Sequence, residues 1–533
     1  MAASDWKHAK RKSPARGGRL EAIGIRLFLL LFLLGARQTR AGEPEDGLHF
    51  GFLFDHFSLT LAEGERDEAV GPLFYNERKE TQRMWAIPPL LSYTHDPATE
   101  STEWDFAYPL LTYDRYGDQY RWQLGQLLSW AGGPSQNEQD RHRFTLFPVY
   151  FQQRSSVASE NYTAFVPFYG HLKNRLFRDE VNFVMLPLYV ESRKKDVVTE
   201  NYVWPFFHKR HGDGLEGWQL WPFYGHEHKE VTYLTNGFGD VSLKAGHDRS
   251  FIMWPLHFIQ HNEIGTEDLQ LEQGSLPLYN FLRSPKRDMT TVLWPFFTWI
   301  DDREKQYREW QLPYPFVVIA RGEGKHTTRI FPFYSRSRTG GAVPPPLKVN
   351  GPERSGGPGS TNAYIESDFY LWPLYKYNRA RAEPMDRERT RIMFFLYSDT
   401  ILKNTETGAS RRRTDLWPFF TRSRDFDGNT RLQVLALLEP YLPVNKSIER
   451  DYSHLWSLWR SEKNPRTGAA SQSLLWNLYR HDTRPNERRT SVFFGCYQFH
   501  EDTKGKVVKL FYIPITKTTS GKATKTAAAP KAK

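Results

Sequence analysis

The chain has 533 residues, a formal net charge of +11, 15% aromatic residues and a single cysteine. Residues 1–41 carry +7 of that charge and residues 516–533 carry +5, which leaves the body 42–515 near −1. A neutral body excludes the basic folded face that a nucleic-acid binder presents, and a lone Cys496 excludes an internal disulfide framework.

Residues 1–41 read as a secretory signal. Lys7, Lys10, Arg11, Lys12, Arg16, Arg19 and Arg26 form a basic leader, Leu27–Ala36 an apolar stretch, and Thr39-Arg40-Ala41 a small-x-small cleavage site. Ten apolar residues are too few to span a bilayer, which needs roughly 20. The expectation is export, and export without disulfides points to a bacterial envelope.

From residue 42 to 339 one phrase recurs: a large apolar residue, proline, then two apolar or aromatic residues. Its tryptophan copies are Trp204-Pro205, Trp221-Pro222, Trp254-Pro255, Trp294-Pro295 and, beyond a break, Trp372-Pro373 and Trp417-Pro418. Variants include Phe147-Pro148, Val166-Pro167, Leu186-Pro187, Leu276-Pro277 and Phe331-Pro332. Fixed-period repetition sets architecture before any single residue does. Each phrase lies in an aromatic-rich and β-branched run such as Glu200–Arg210 or Trp218–His228, which is strand chemistry. Polar turns such as His211-Gly212-Asp213-Gly214 separate the runs. Prolines 148, 167, 187, 205 and 222 are 17 to 20 residues apart, which predicts one strand and one short turn per repeat and antiparallel neighbours. Proline cannot donate to a strand ladder, so its recurrence at one height predicts a bulge or bend in every strand.

The segment Tyr113–Trp122, YDRYGDQYRW, resembles the tyrosine–aspartate repeats of bacterial toxin shells. The resemblance implies hairpin units of about twenty residues in a spiral sheet. It covers ten residues and has no echo elsewhere in the chain. Further on, a longer interval around Thr235–His247 predicts an extended hairpin or loop. Residues 340–361, rich in Gly, Pro and Ser, predict a loop or linker. The repeat resumes over 362–515, loses its proline at Trp456 and Trp476, and gives way to a Lys/Thr/Ala tail at 516–533 that predicts disorder.

The predicted fold is therefore all-β, an antiparallel meander of about twenty or more strands from repeats of ~20 residues, rolled into a large barrel. Twelve residues tilted by about 45° cover roughly 28 Å, enough for an outer membrane. The alternative is an open spiral or stacked sheet. In its favour, Tyr202, Trp204 and Phe206 share one face and Val203, Pro205 and Phe207 the other, so both faces are apolar at mid-strand.

Candidate chemistry is sparse. His171, His226 and His228 could ligate zinc or copper, because His226 and His228 alternate on one strand face and His171 occupies the equivalent repeat position. Asp301-Asp302 and Glu501-Asp502 fall in predicted turns, where adjacent acids are solvated rather than facing each other as catalytic pairs. No catalytic residue and no cofactor is predicted. The expected function is non-enzymatic: an outer-membrane β-barrel with a structural or transport role, with membrane lipid as its partner. The alternative is a soluble periplasmic or cell-surface β-repeat protein that binds a glycan, lipid or envelope protein.

Overall fold

The computed structural model describes residues 50–134, 140–235, 240–340, 363–443 and 445–519. The predicted signal 1–41, residues 341–361 of the predicted linker and the tail beyond Thr519 lie outside them. The described residues are all-β. Forty-three strands form one antiparallel sheet, and Thr232–Thr235 with Val241–Lys244 makes a separate hairpin where an extended one was expected.

Most strands are six residues long, and the repeat holds two of them rather than one. Strand Val197–Tyr202 is followed by an apolar turn over 203–206. Strand Phe207–Gly212, a two-residue Asp213-Gly214 turn and strand Leu215–Leu220 come next. The predicted long strand is thus two short strands and the apolar turn between them. The proline does not bend a strand. It takes the third place in a four-residue turn closed by Phe206 N–H donating to Val203 C=O at 2.9 Å. The Trp204–Pro205 peptide is cis, the geometry that defines this turn class. A residue without N–H costs no ladder hydrogen bond there. The same geometry closes the turns at Met185–Leu188, Met253–Leu256, Leu293–Phe296 and Leu371–Leu374.

The two-sided apolarity expected at mid-strand is corrected by the same observation. Val203 to Phe206 are turn residues, and the strand centres are polar, with Thr199 and Glu200 opposite Arg210 and Lys209. The resemblance segment forms a hairpin, Leu111–Tyr116 with Gln119–Leu124 about Gly117-Asp118. The last strand, Ile513–Thr519, runs four residues into the predicted tail.

Every strand of the sheet pairs with its sequence neighbours, from Asp55–Ser58 to Ile513–Thr519, except where the side hairpin is skipped. The first and last strands do not pair with each other. The predicted closure into a barrel does not occur, and the open sheet is the form found. The ends instead meet face to face through side chains. Phe52 stacks on Trp476 at 6.3 Å, Arg489 pairs with Asp55 at 3.1 Å, and Asn477 donates to Glu68 at 2.7 Å.

Residues alternate strictly across the sheet. Counted from the apolar turns, the first rung is large and outward: Tyr202, Phe207, Leu220, Tyr224 and Ile252 run side by side, four of them at least 40% exposed. Second-rung residues project to the other face; many are small or polar and buried, among them Ser92, Ala164, Asn280, Thr291, Ser335 and Ser398, and Phe183 and Phe258 are large apolar ones buried there.

Candidate functional site

In an antiparallel meander successive turns fall at opposite ends of the strands. Here the two rims differ in kind. One carries polar turns such as Lys195-Asp196, Asp213-Gly214 and Asp425–Asn429. The other carries the apolar turns, and all twelve residues of the Trp-Pro motif lie there: Trp204, Pro205, Trp221, Pro222, Trp254, Pro255, Trp294, Pro295, Trp372, Pro373, Trp417 and Pro418. Large apolar side chains are exposed in nearly every turn of this rim, with Trp204 at 60%, Leu278 at 61%, Phe333 at 62% and Phe493 at 68%. At roughly 4.8 Å per strand the rim runs for about 200 Å.

Its backbone is paired turn to turn. Trp204 N–H donates to Pro187 C=O at 2.8 Å, Trp254 N–H to Pro222 C=O at 2.6 Å, and Trp372 N–H to Pro332 C=O at 2.7 Å. Val203, Met253, Leu293 and Leu371 donate likewise to Leu188, Phe223, Leu278 and Phe333. The apolar rim therefore keeps its peptide donors hydrogen-bonded while presenting aromatic and aliphatic surface.

The second region is the seam where the sheet ends overlap. A helical stretch, Lys446–Trp456, leaves the sheet between strands Thr430–Val434 and Trp459–Lys463, which pair directly with each other. Asn445 caps it, its Oδ1 accepting from Ile448 N–H at 3.1 Å. The stretch carries Arg450 onto the first strands. The buried Arg450 guanidinium donates to Thr94 at 2.6 Å, to Glu103 at 3.1 Å and to Asp105, while Tyr75 donates to the Arg450 carbonyl at 2.8 Å. A cavity of about 330 Å³ is lined by Arg450 with Arg66, Arg431, Arg460 and Arg480, and by five glutamates. Arg66 is held by Glu68 and Glu77 and lies over the Tyr75 ring; Arg480 lies over Phe57 at 3.4 Å.

Burial shapes titration at this seam. It pushes the Asp451 carboxyl up to about 7, with nearby Asp105 adding to the rise against Ser92 and Arg450. Burial, then Arg66, Arg460 and Arg431, hold His454 well below the ordinary histidine range, so it is neutral. Burial opposes ionisation of Glu462 as well, yet Arg460 and Arg431 keep it at about 2. Each cation here has its own carboxylate, and the arrangement is that of an ion-paired lock between the two ends of the sheet.

The predicted histidines are not brought together. His226 and His228 share Asp248, at 3.8 and 3.3 Å, whereas His171 sits on a different strand, Tyr169–Arg175, against Glu180 at 2.7 Å. Among the described residues no group of three or more His, Cys, Asp or Glu is placed to hold a metal ion. Asp301 and Asp302 are strand neighbours and so project to opposite faces. Asp502 accepts turn N–H groups from Lys504 and Gly505. The seam residues Arg66, Asp105, Arg450, Asp451 and His454 drew no attention in sequence. Their one signal was the loss of the repeat between Val434 and Trp459.

No protein-family model matches the chain, and no curated protein matches it in sequence.

Proposed function

We propose that this protein is a non-enzymatic β-repeat scaffold of the bacterial envelope that stands with its apolar rim in one leaflet of a lipid membrane. The observation that carries this reading is the rim itself, long, aromatic, exposed and hydrogen-bonded along its backbone. Lipid tolerates only backbone whose polar groups are already paired. Tryptophan and its aromatic neighbours favour the membrane interface. Turn plus first rung is about 7–10 Å deep, the depth to which interfacial segments enter the headgroup and acyl boundary. Six-residue strands span about 20 Å before tilt, which suits one leaflet rather than a full crossing. An exposed apolar surface on this scale marks an interaction site.

The predicted signal supports export. No helix among the described residues is long and apolar enough to cross a membrane. The test is flotation of the purified full-length protein with phospholipid vesicles, alongside fractionation of the cells that make it. The protein should float with the vesicles and stay with the membrane fraction at high salt. Recovery in the soluble fraction with no vesicle binding would replace this reading with that of a soluble periplasmic or surface protein.

A further inference from the structure

One stretch of the sheet carries a charge pattern unlike the seam. In the six strands from Lys325–Ile330 to Tyr397–Asn404, Glu366, Asp368, Asp386, Glu388 and Asp399 all project to the outward, first-rung face. There Arg338 and Arg379 engage Glu366, Asp386 and Glu388. The opposite face carries Arg329, Lys376, Arg387, Arg389 and Arg391, and no strand carboxylate at all. None of these five has a carboxylate within ion-pair distance among the described residues.

Their placement is also costly. The second rung runs Arg329, Ser335, Phe369, Lys376, Arg391, Ser398 across adjacent strands, so Lys376 and Arg391 stand directly opposite each other. Like charges in that relation repel. The Nε–H groups of Arg329, Arg389 and Arg391 are covered and have no acceptor in the protein. Burial, followed by Arg391 and Arg329, pushes the Lys376 amine down, and burial with Arg391 and Arg387 does the same to Arg389 against the opposing pull of Asp415 two strands on. Lysine and arginine gathered this way, with unused donors, await an anion.

The anion has a particular neighbourhood. A cavity of about 230 Å³ is lined by Arg329, Lys376 and Ser335 together with Phe331, Phe369 and Trp372. Phe331 meets Phe369 at 6.1 Å and Trp372 at 5.6 Å. Phe331 and Trp372 belong to the apolar rim, so the cationic row begins one rung behind the surface assigned to lipid.

We propose that this cleft binds the phosphate of an anionic phospholipid, with the phosphate on Arg329 and Lys376, Arg391 opposite Lys376 adding its charge, and the acyl chains leaving past Phe331 and Trp372 along the rim. The proposal rests on the lipid-seating reading and adds to it a lipid class and a place. A phosphodiester relieves the repulsion between Lys376 and Arg391 and supplies an acceptor to the covered Nε–H of Arg329. The aromatic wall takes the glycerol and first methylenes.

The experiment compares partition of the full-length protein into vesicles of phosphatidylcholine alone and of phosphatidylcholine mixed with phosphatidylglycerol. It is run for the wild type and for the triple variant Arg329→Gln, Lys376→Gln, Arg391→Gln. The wild type should prefer the phosphatidylglycerol vesicles. The triple variant should lose that preference, about fivefold per cation and on the order of a hundredfold in all, while binding phosphatidylcholine as before. Removing mutual repulsion should leave its melting temperature no lower, which separates loss of site from loss of fold. Arg488→Gln, at an exposed arginine on the distant strand Glu487–Val492, should keep the preference. Equal binding of both vesicle types by the wild type, or a preference that survives in the triple variant, overturns the headgroup site alone. Failure to bind either vesicle overturns the seating reading and this site with it. A third arm titrates inorganic phosphate against Trp fluorescence: saturation there without any phosphatidylglycerol preference makes this a free-phosphate site and overturns the lipid assignment.

Discussion

The seam and the rim invert the usual arrangement of a globular protein. At the seam, arginines and carboxylates are inside: Arg450, Asp105 and Asp451 are each at most 6% exposed. At the rim, phenylalanine and tryptophan are outside. The contrast shows what each kind of surface is for. Charges placed inside fix one register between two ends of a sheet that otherwise carries unpaired edge strands. Trp476 and Phe494 of the apolar rim join in that registration by packing on Phe52, while on the proposed reading the other exposed rim aromatics are spared for an apolar partner. On the proposed reading, stability resides in one region and association in the other, and substitutions should separate the two.

The largest expected effect is at the seam. Arg450→Ala leaves Asp105 and Asp451 buried without their cation and should cost about 3–5 kcal/mol of stability, read as a lowered midpoint in urea unfolding. Vesicle binding per folded molecule should not change. Equal stability of the variant would mean the ends are held by something other than this lock.

Next comes the converse change at the rim. Trp204→Glu with Trp294→Glu removes two exposed indoles, each worth about 1.5–3 kcal/mol when buried in an apolar phase. Vesicle partition should fall by at least tenfold, while the unfolding midpoint moves by less than about 0.5 kcal/mol. A large loss of stability would place these tryptophans in a packed interior and merge the two regions.

A smaller effect is pH-dependent. The Asp451 carboxyl is raised in the folded state, so its contribution to stability is full below about pH 4 and is lost as pH rises through about 7. His454 works in the other sense: held neutral, it contributes above about pH 6.5, and that stability is lost as pH falls below this value. Asp451→Asn keeps His454 and removes only the first term. The variant should gain about 1–3 kcal/mol over wild type at pH 8 and little at pH 5. A difference curve that is flat between these pH values would contradict a protonated Asp451.

The smallest effect concerns the turns. Val203 sits at φ 48°, a left-handed conformation that a β-branched residue adopts at a cost and asparagine adopts readily. Val203→Asn should raise stability by about 0.5–1 kcal/mol in thermal melts, with membrane binding nearly intact.

Much of the sheet was legible in the sequence. The period, the antiparallel order and the polar turns follow from Asp, Asn and Gly clusters at regular spacing. The proline phrase was harder. Val203-Trp204-Pro205-Phe206 has the same aromatic and β-branched composition as the strands beside it, so two short strands and their turn look like one long strand. The deciding feature is positional, proline third in a four-residue turn, and composition does not show it. Once that turn is recognised, the two apolar faces at mid-strand vanish and with them the case for strands long enough to cross a bilayer. The seam was not legible because Arg450 and Asp105 are 345 residues apart. The cationic row was half legible: Arg387, Arg389 and Arg391 alternate in sequence, but only the register places Lys376 and Arg329 beside them.

The central claim is that the apolar rim, and not the polar rim or the seam, enters lipid. Depth-resolved quenching tests it most directly, with single-tryptophan versions of the protein in vesicles whose acyl chains are brominated at defined positions. Trp204 and Trp294 on the rim should be quenched most strongly by bromines near the headgroup end of the chains. A tryptophan introduced as Tyr116→Trp, at an exposed position beside the polar Gly117-Asp118 turn, should not be quenched. Equal quenching at all three positions, or none at Trp204 and Trp294 while the protein remains vesicle-bound, would contradict the account.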